Sequence, residues 1–229
     1  MKLRTTLKQW NRWFRRPRVL DSLSAYHLWA AEYPPEAHNA LMRTEQAAMV
    51  ELMPPLRDLI VLDLACGTGR YGLMAQQSGA RLVIGVDNSV DMLARNGLRF
   101  RAAAGMTRLP LAAESVDVVL CGLAIGHVAT LEPILTEIVR VLKPNGTALI
   151  SDVHPDLFLQ GGQRTFTAQG KTYAVEHYPH TISQVRAFAR TAGLLTTTIA
   201  EPHLPEGAGA GGSYGVPVAV IYRFQKPHD

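Results

Sequence analysis

The chain has 229 residues, of which 47% are hydrophobic and 18% are charged. These values fit a globular protein with one full core and exclude a disordered or fibrous chain. No apolar stretch approaches the roughly 18–20 residues that cross a bilayer, and the start lacks an apolar leader with a cleavage site, so we expect a cytoplasmic protein. Cys66 and Cys121 are predicted to be core residues rather than a disulfide, and we expect no metal site.

The net charge of +4 is unevenly distributed. Residues 1–18 contain no acid and carry the basic side chains Lys2, Arg4, Lys8, Arg12, Arg15, Arg16 and Arg18. Apolar side chains recur there at helical spacing, at Leu3, Leu7, Trp10 and Phe14, which predicts a basic amphipathic helix. Such a helix can bind weakly to an anionic membrane surface or an acidic carrier protein, or it can pack on the domain. We expect no nucleic-acid partner, because one terminal run is not a broad basic face.

A helical cap is predicted over residues 19–56. Its first helix covers residues 20–31 and is interrupted by Pro34-Pro35. Its second helix covers residues 36–52 and ends before Pro54-Pro55.

Strands and helices then alternate through the predicted core domain, residues 57–229. One amphipathic helix is predicted over Leu131–Leu142. The predicted strands cover residues 59–64, 82–87, 99–103, 116–121, 147–152, 194–200 and 217–224. Alternation of this kind implies parallel strands with right-handed crossovers. The sequence therefore predicts an α/β fold: a Rossmann-like, doubly wound, mostly parallel seven-stranded sheet.

Residues 153–182 do not fit this alternation. Within them, residues 165–175 are typical of a β-hairpin around the turn Gln169-Gly170. The hairpin follows the fifth predicted strand, at the sheet edge where open α/β folds bind ligands. It is therefore predicted to form part of a substrate pocket, or else an edge decoration. Residues 207–215 are glycine-rich and are predicted to form a mobile loop between the last two strands.

The most informative stretch is Val-Leu-Asp-Leu-Ala-Cys-Gly-Thr-Gly at residues 61–69. A buried strand leads to Asp63, and a turn with Gly67 and Gly69 precedes a helix. Glycines let the backbone approach a ligand, and the amides at the helix start face it. A second buried strand ends at Asp87, about 20 residues on, where an acid that binds ribose hydroxyls is expected. This arrangement predicts a nucleotide-type site.

The stretch resembles motif I of the class I S-adenosylmethionine-dependent methyltransferases, and Leu-Lys-Pro-Asn-Gly at 142–146 is similar to the turn before their fifth strand. The chain is identified as a small-molecule, type 11-like member of that family. The resemblance implies S-adenosylmethionine as the cofactor and a monomer or homodimer. The alternative is a dinucleotide site whose third glycine would be Gly72, and Asp63 before the turn argues against it.

The resemblance implies a cofactor site around the glycine turn. It assigns the amino-acid end of the cofactor to Asp63, Ala65, Gly67 and Gly69. It assigns the ribose end to Asp87, Asn88 and Met92. The two oxygens of an acid at Asp87 match two vicinal hydroxyls.

One position departs from the family pattern. Gly105 stands where such enzymes often carry an acid that accepts from the adenine amine, so the backbone at Met106 is the remaining candidate there. Tyr26 and Tyr33 resemble the aromatic N-terminal segment that covers the cofactor in small-molecule members. We assign Tyr33 to the cofactor and Tyr26 to the substrate, with ordinary helix packing as the alternative.

Several histidines follow the predicted strands that would lie near the methyl group of the cofactor. Methyl transfer is an in-line displacement, and it needs a base only when the nucleophile must lose a proton. His127 follows the fourth predicted strand and His154 follows the fifth, so both are candidate catalytic bases. His180 is assigned to substrate binding. Each of these side chains can instead be a structural or pocket-lining residue.

The resemblance thus implies methyl transfer to O, C or N of a small organic molecule. The Asn/Asp-Pro-Pro-Tyr motif of amide- and adenine-modifying enzymes is replaced here by Cys121-Gly122-Leu123-Ala124, which disfavours those substrates. Similarity to quinone-ring C-methyltransferases and malonyl-carrier-protein O-methyltransferases provides two narrower alternatives. A non-catalytic cofactor-binding or interaction module is the alternative from a different class.

Overall fold

The computed structural model describes residues 17–205 and 215–228. In chain order, its strands are β1 (Arg18–Leu20), β2 (Ile60–Leu64), β3 (Leu82–Asp87), β4 (Phe100–Ala103), β5 (Val116–Cys121), β6 (Leu142–Val153), β7 (Thr165–Ala168), β8 (Lys171–Val175), β9 (Leu195–Ala200) and β10 (Ala219–Gln225). The helices are α1 (Ser22–Trp29), α2 (Ala40–Leu52), α3 (Arg70–Gln77), α4 (Val90–Leu93), α5 (Glu132–Val141), α6 (Pro155–Leu159) and α7 (Ile182–Ala192). A 3₁₀ turn covers Ile125–His127.

The main sheet has the strand order β4-β3-β2-β5-β6-β10-β9. The strands from β4 to β6 are parallel, and β10 runs antiparallel to both β6 and β9. The predicted doubly wound, mostly parallel seven-stranded sheet is confirmed. Buried strands such as β2 and β5 are rich in Val and Leu, which is expected where helices cover both faces of a sheet.

Short polar side chains determine where several helices begin. Asp21, Asn39 and Ser89 each accept a hydrogen bond from the amide three residues further on. Thr181 and Gln184 form a reciprocal capping box at the start of α7. That helix ends at Gly193, whose φ of 98° is a left-handed value that glycine adopts at little cost.

A second, three-stranded sheet joins the N-terminal segment to the insertion. Its order is β1-β8-β7, with β1 parallel to β8 and β7 antiparallel to β8. The hairpin β7–β8 agrees with the prediction. The helix predicted from Leu20 is wrong at its start: residues 18–20 are a strand, and Asp21 caps a helix that begins at Ser22. The reason is tertiary, because Leu20 packs into an apolar cluster with Phe166 and Val175 of the hairpin.

Arg18, assigned above to the basic helix, therefore lies in β1. The rest of that predicted helix, residues 1–16, and residues 207–214 of the predicted glycine-rich loop lie outside the described residues.

Two other predicted boundaries are corrected. The second cap helix begins at Ala40 rather than Glu36, because Asn39 is its cap. The helix predicted to reach Leu142 ends at Val141, and Leu142 already begins β6. The segment predicted as a turn at 142–146 lies within this strand, where Asn145 has a φ of 63° and the register with β5 shifts. Asparagine tolerates this backbone conformation better than most residues do.

Apolar side chains cover both faces of the main sheet. Ile134, Leu135 and Ile138 of α5 are buried on one face, and Met49 of α2 is buried on the other. Cys66 and Cys121 are buried free thiols, as predicted. None of the helices in the described ranges is long and apolar enough to cross a membrane. Because β2, β3 and β5 are parallel neighbours, the loops that follow them meet at one edge of the sheet.

Candidate functional site

A cavity of about 270 Å³ lies at this carboxyl edge of the sheet. Its walls come from the loops after β2, β3, β4 and β5, from the cap, and from the residue just before β7. The predicted site residues among its lining are Tyr26, Tyr33, Asp63, Ala65, Gly67, Asp87, Asn88, Met92, Met106 and His127. Residues that lie more than 100 positions apart in the sequence, such as Tyr26 and His127, therefore line one cavity.

The turn after β2 has a left-handed backbone at Gly67, with φ 52°, and at Gly69, with φ 93°. A Cβ at position 69 would lie 2.7 Å from Oδ1 of Asn96, so a side chain there would displace a neighbour as well as strain the backbone. Gly69 itself does not line the cavity. Asn96 donates to the carbonyl of Gly67 over 2.9 Å and was missed by the sequence analysis. Only its place beside Gly97, typical of a turn, could have suggested it.

Asp63 is buried beneath this turn, with 2% of its surface exposed. Its Oδ2 accepts a hydrogen bond from the amide of Gly72 over 2.7 Å. A Cβ at position 72 would lie 2.9 Å from that same oxygen, so the third glycine is explained by its packing on Asp63. Burial raises the pKa of Asp63 to about 7. The turn thus places a desolvated carboxyl group against the cavity.

Asp87 closes the turn from the next strand. Its Oδ2 accepts from the amide of Gly67 and its Oδ1 from the amide of Ser89, both over 2.8 Å. A carboxylate offers about four lone-pair sites, so these bonds leave acceptor capacity for a ligand. Burial raises the pKa of Asp87 as well. Asn88 and Met92 line the cavity beside it.

Gly105 and Met106, which follow β4, form another part of the wall. A Cβ built at Gly105 has no heavy atom within 4 Å. The glycine is therefore not required by packing, and this part of the cavity has room for a longer side chain.

Tyr26, His127 and Arg164 form a hydrogen-bonded chain along the opposite wall. An Nη of Arg164 donates to the hydroxyl of Tyr26 over 3.0 Å, and that hydroxyl lies 3.1 Å from Nε2 of His127. Nδ1 of His127 lies 3.3 Å from the carbonyl of Glu176, which can only accept. The proton of this imidazole is thus assigned to Nδ1, and Nε2 accepts from Tyr26. Arg164 was missed, because a single arginine next to a predicted hairpin carries no signal in the sequence.

Burial makes His127 a weak base. Burial, with the positive charge of Arg164 second, lowers the pKa of His127 to about 2. Burial also raises the pKa of Tyr26 to about 12. Both side chains are therefore neutral near neutral pH, and they can position a ligand by hydrogen bonding.

An aromatic cluster holds this wall in place. The ring of Trp29 packs edge-on against Tyr33 at 4.8 Å and is stacked on Phe166 at 4.8 Å, while Tyr26 is stacked on Trp29 at 6.1 Å. Trp29 belongs to α1 and Phe166 belongs to β7, so their stacking joins the cap to the hairpin. The cap and the hairpin thus form a single wall above the sheet edge. Tyr26 and Tyr33 of this wall line the cavity.

Besides Gly69, two predicted residues do not line the cavity. His154 is 3% exposed, caps α6 through Nδ1, and pairs with Glu201 through Nε2 at 3.0 Å. Both of its ring nitrogens are engaged away from the cavity, so the geometry gives no support to a catalytic role. The Nε2 atom of His180 donates to the carbonyl of Val128 over 2.8 Å. His180 therefore supports a wall residue instead of facing a ligand.

A buried acid of the cap was also missed. Glu45 is fully buried; it pairs with Arg70 at 3.0 Å and accepts hydrogen bonds from the hydroxyls of Tyr71 and Ser151. Arg70 and Tyr71 line the cavity. Ser151 in turn accepts from the amide of Leu123, so the network links α2, α3 and β6 behind the site. A lone glutamate in an amphipathic helix pattern is typical of a solvated face and gives no hint of this role.

A model of the methyltransferase domain matches residues 62–150 of the chain. That segment contains both cavity acids, the glycine turn and the loop of His127. Together with the sheet topology, the match shows a domain of the class I S-adenosylmethionine-dependent methyltransferase family within this chain. The cofactor of the family is S-adenosylmethionine.

Two similar proteins carry names for different methyl acceptors. A malonyl-[acyl-carrier protein] O-methyltransferase of Enterobacter lignolyticus is 32% identical over 131 residues, which cover 53% of this chain and 51% of that protein. A demethylmenaquinone methyltransferase of Lactococcus lactis is 34% identical over 137 residues, which cover 52% of this chain and 54% of that protein. The chain thus spans about half the length of the curated relatives it matches.

Solved structures of other proteins have the same fold as this chain. An S-adenosylmethionine-dependent methyltransferase from Mesorhizobium loti superposes with a TM-score of 0.68 at 20% identity, covering 80% of this chain and 97% of that one. At this identity the likeness supports the fold alone.

Proposed function

We propose that the protein transfers the methyl group of S-adenosylmethionine to a small organic molecule bound under the cap. The observation that carries the proposal is the pair of carboxyl groups, Asp63 and Asp87, joined to one glycine turn on a cavity whose opposite wall holds Tyr26, His127 and Arg164. One wall suits a cationic, ribose-bearing cofactor. The other offers hydrogen-bond donors to an acceptor molecule.

The residues present fit the cofactor. Asp63, with Ala65 and Gly67 of the turn, would hold its amino-acid end, where an ammonium and a sulfonium match a desolvated carboxylate. Asp87 would use its remaining acceptor capacity for the ribose hydroxyls. Gly69 would act indirectly, by shaping the turn.

The remaining walls complete the cofactor site. Asn88 and Met92 lie next to Asp87 on the ribose side, and Met106 lies on the side proposed for the adenine ring. Tyr33, held by Trp29, would cover the cofactor from the cap.

Bound S-adenosylmethionine supplies an electrophilic methyl group on a sulfonium. The protein would contribute alignment of an acceptor atom with that methyl and the exclusion of water, since in-line displacement depends on both. Tyr26 and Arg164 would orient the acceptor through their hydroxyl and guanidinium groups. His127 would hold Tyr26 in place through Nε2.

The names of the two relatives suggest two classes of methyl acceptor for this chain. A malonyl group on a carrier protein would be methylated on oxygen, and a demethylmenaquinone would be methylated on a ring carbon. The two classes differ in what they need, because a ring carbon must lose a proton and a carboxylate need not.

The direct experiment is a methyl-transfer screen with labelled S-adenosylmethionine against phenols, quinols, carboxylic acids and acyl thioesters. S-adenosylhomocysteine, and not NAD(H), should raise the melting temperature. A folded protein that neither binds S-adenosylhomocysteine nor labels any acceptor would contradict the proposal. A protein that binds the cofactor and transfers nothing would instead be the non-catalytic module considered above.

A further inference from the structure

The cavity is lined by two guanidinium groups in different electrostatic states. Arg70 is neutralised by Glu45 at 3.0 Å. Arg164 is half-buried and donates to the carbonyl of Leu123 over 2.8 Å and to the hydroxyl of Tyr26 over 3.0 Å, both of which are uncharged. Within residues 17–205 and 215–228 it forms no ion pair with a carboxylate. Arg164 thus lines the cavity without a directly paired carboxylate among these residues; its charge acts at longer range on the buried Asp152, whose pKa it lowers against the larger, opposite effect of burial.

A half-buried guanidinium without a direct ion pair is stabilised further by a ligand that supplies a carboxylate within hydrogen-bond distance. A guanidinium has five N–H donors, and the two contacts of Arg164 leave three of them available. Two contacts also fix the direction of the side chain, since Leu123 follows β5 and Tyr26 belongs to α1. Arg164 is thus a preorganised donor for an anionic oxygen.

We propose, on the basis of the proposed function, that the methyl acceptor is a carboxylic acid whose carboxylate is held by Arg164 and Tyr26 and is itself methylated. Recognition and reactivity then involve the same group. A carboxylate has two oxygens, so one can be held while the other attacks the methyl carbon.

The wall around Arg164 favours an acceptor that is already an anion. His127 accepts from Tyr26 through its one free nitrogen lone pair, and burial keeps the pKa of this imidazole near 2. Neither it nor Tyr26 can take a proton from a phenol or a ring carbon near neutral pH. A carboxylic acid, with an ordinary pKa of about 4, is ionised before it binds.

The reaction then balances without a proton transfer. A lone pair of the carboxylate oxygen forms the O–CH₃ bond, and the S–CH₃ bond breaks with its electron pair remaining on sulfur. One negative and one positive charge disappear together, which gives a neutral methyl ester and a thioether. The ester no longer pairs with Arg164, so it binds more weakly than the substrate acid, and its release is favoured.

The test compares wild type with Arg164→Gln and Arg164→Lys. The exposed Arg186→Gln on α7 is the matched control. The probes are benzoate, phenylacetate, octanoate and succinate, each beside its amide. Binding is measured by calorimetry on the protein saturated with S-adenosylhomocysteine, and methyl ester formation is measured by mass spectrometry with S-adenosylmethionine.

We expect at least one acid to bind and to be esterified while its amide does neither. Arg164→Gln should raise the KM for that acid about 10²-fold and leave the affinity for S-adenosylhomocysteine within about twofold. Arg164→Lys should recover part of the loss, and Arg186→Gln should match wild type. With S-adenosylmethionine saturating at every pH, the esterification rate should be flat from about pH 6 to about pH 9, because no proton is transferred.

Three results would overturn the inference. If Arg164→Gln weakens S-adenosylhomocysteine and not the acid, the arginine binds the cofactor's own carboxylate. If phenols or quinols are labelled and no acid is bound or esterified, the acceptor class is wrong and methyl transfer itself stands. Failure of the wild type to bind S-adenosylhomocysteine would instead remove the proposed function.

Discussion

Gly67 and Asp87 are joined by a hydrogen bond in which the glycine amide donates to Oδ2 over 2.8 Å. The bond links the turn after β2 to the end of β3, two segments that are neighbours in the sheet. Asp87 can therefore act twice, as the acceptor that closes the turn and as a ligand for vicinal hydroxyls. A change at Asp87 should disturb the cofactor site more than the fold.

Asp87→Ala is expected to weaken S-adenosylmethionine binding by about 1.5–3 kcal/mol, the cost of losing hydrogen bonds to a charged acceptor. Calorimetry measures this loss directly. Asp91→Ala is the matched control, because Asp91 forms an exposed pair with His27 and does not line the cavity. Unchanged affinity in a folded Asp87→Ala variant would remove this carboxylate from the site.

The buried acid Asp63 predicts a pH dependence of stability. Burial raises its pKa from 3.8 to about 7, so the folded protein holds a proton that the unfolded chain has lost between about pH 4 and about pH 7. Stability should therefore fall as the pH rises through this window. Burial raises the pKa of Asp152 to about 7 as well, so Asp63→Asn should remove part of the slope and not all of it. Melting curves from about pH 4 to about pH 8 measure the effect.

The affinity for the cofactor should rise with pH, whereas the stability of the free protein falls. The ionised form of Asp63 attracts a cation, so the affinity for S-adenosylmethionine is expected to rise from about pH 6 to about pH 8 and to release protons near neutral pH. Asp63→Asn keeps an oxygen for the amide of Gly72 but cannot ionise. Its affinity should be weak and nearly independent of pH, and a retained pH dependence would assign the proton to another group.

Gly105 allows a gain-of-function test. A Cβ at this position contacts nothing within 4 Å, and the position lines the cavity. It is also the position at which the family pattern often has an acid. Gly105→Asp is therefore expected to tighten S-adenosylhomocysteine binding by about 1 kcal/mol through a new acceptor for the adenine amine. Gly105→Ala is the steric control. Equal affinity in both variants would place the adenine ring elsewhere.

Glu45 should be among the most sensitive positions of the fold. Its removal leaves the guanidinium of Arg70 buried, with 14% of that side chain exposed, and without its charge partner. We expect Glu45→Ala to cost about 3–5 kcal/mol of unfolding free energy, measured by chemical denaturation. Glu51→Ala, at an exposed position of the same helix, should change it by less than about 0.5 kcal/mol. A double variant Glu45→Gln, Arg70→Met should recover part of the loss.

The sequence predicted the main sheet because its signals are local. Each buried strand, turn and helix around Asp63 and Asp87 lies within about 30 residues, and their periodicity differs from that of their neighbours. The small sheet and the opposite wall depend on distant contacts instead. Arg164 meets Tyr26 across 138 positions, and Ser151 meets Glu45 across 106. A polar side chain shows its role there only when the partner that satisfies it is known.

The two histidines that the sequence predicts as bases, His127 and His154, should respond differently to substitution. His127→Phe keeps a ring against Tyr26 and removes the Nε2 acceptor, so turnover should fall about tenfold through misplacement of Tyr26, which is the effect of losing about 1.4 kcal/mol. His154→Ala removes a helix cap and the partner of Glu201 far from the lining, so it should lower the melting temperature and spare turnover. Both are measured at saturating cofactor on a substrate found in the screen. A loss of 10²-fold or more in His154→Ala, without a change in melting temperature, would show that this imidazole reaches the reacting atoms after all.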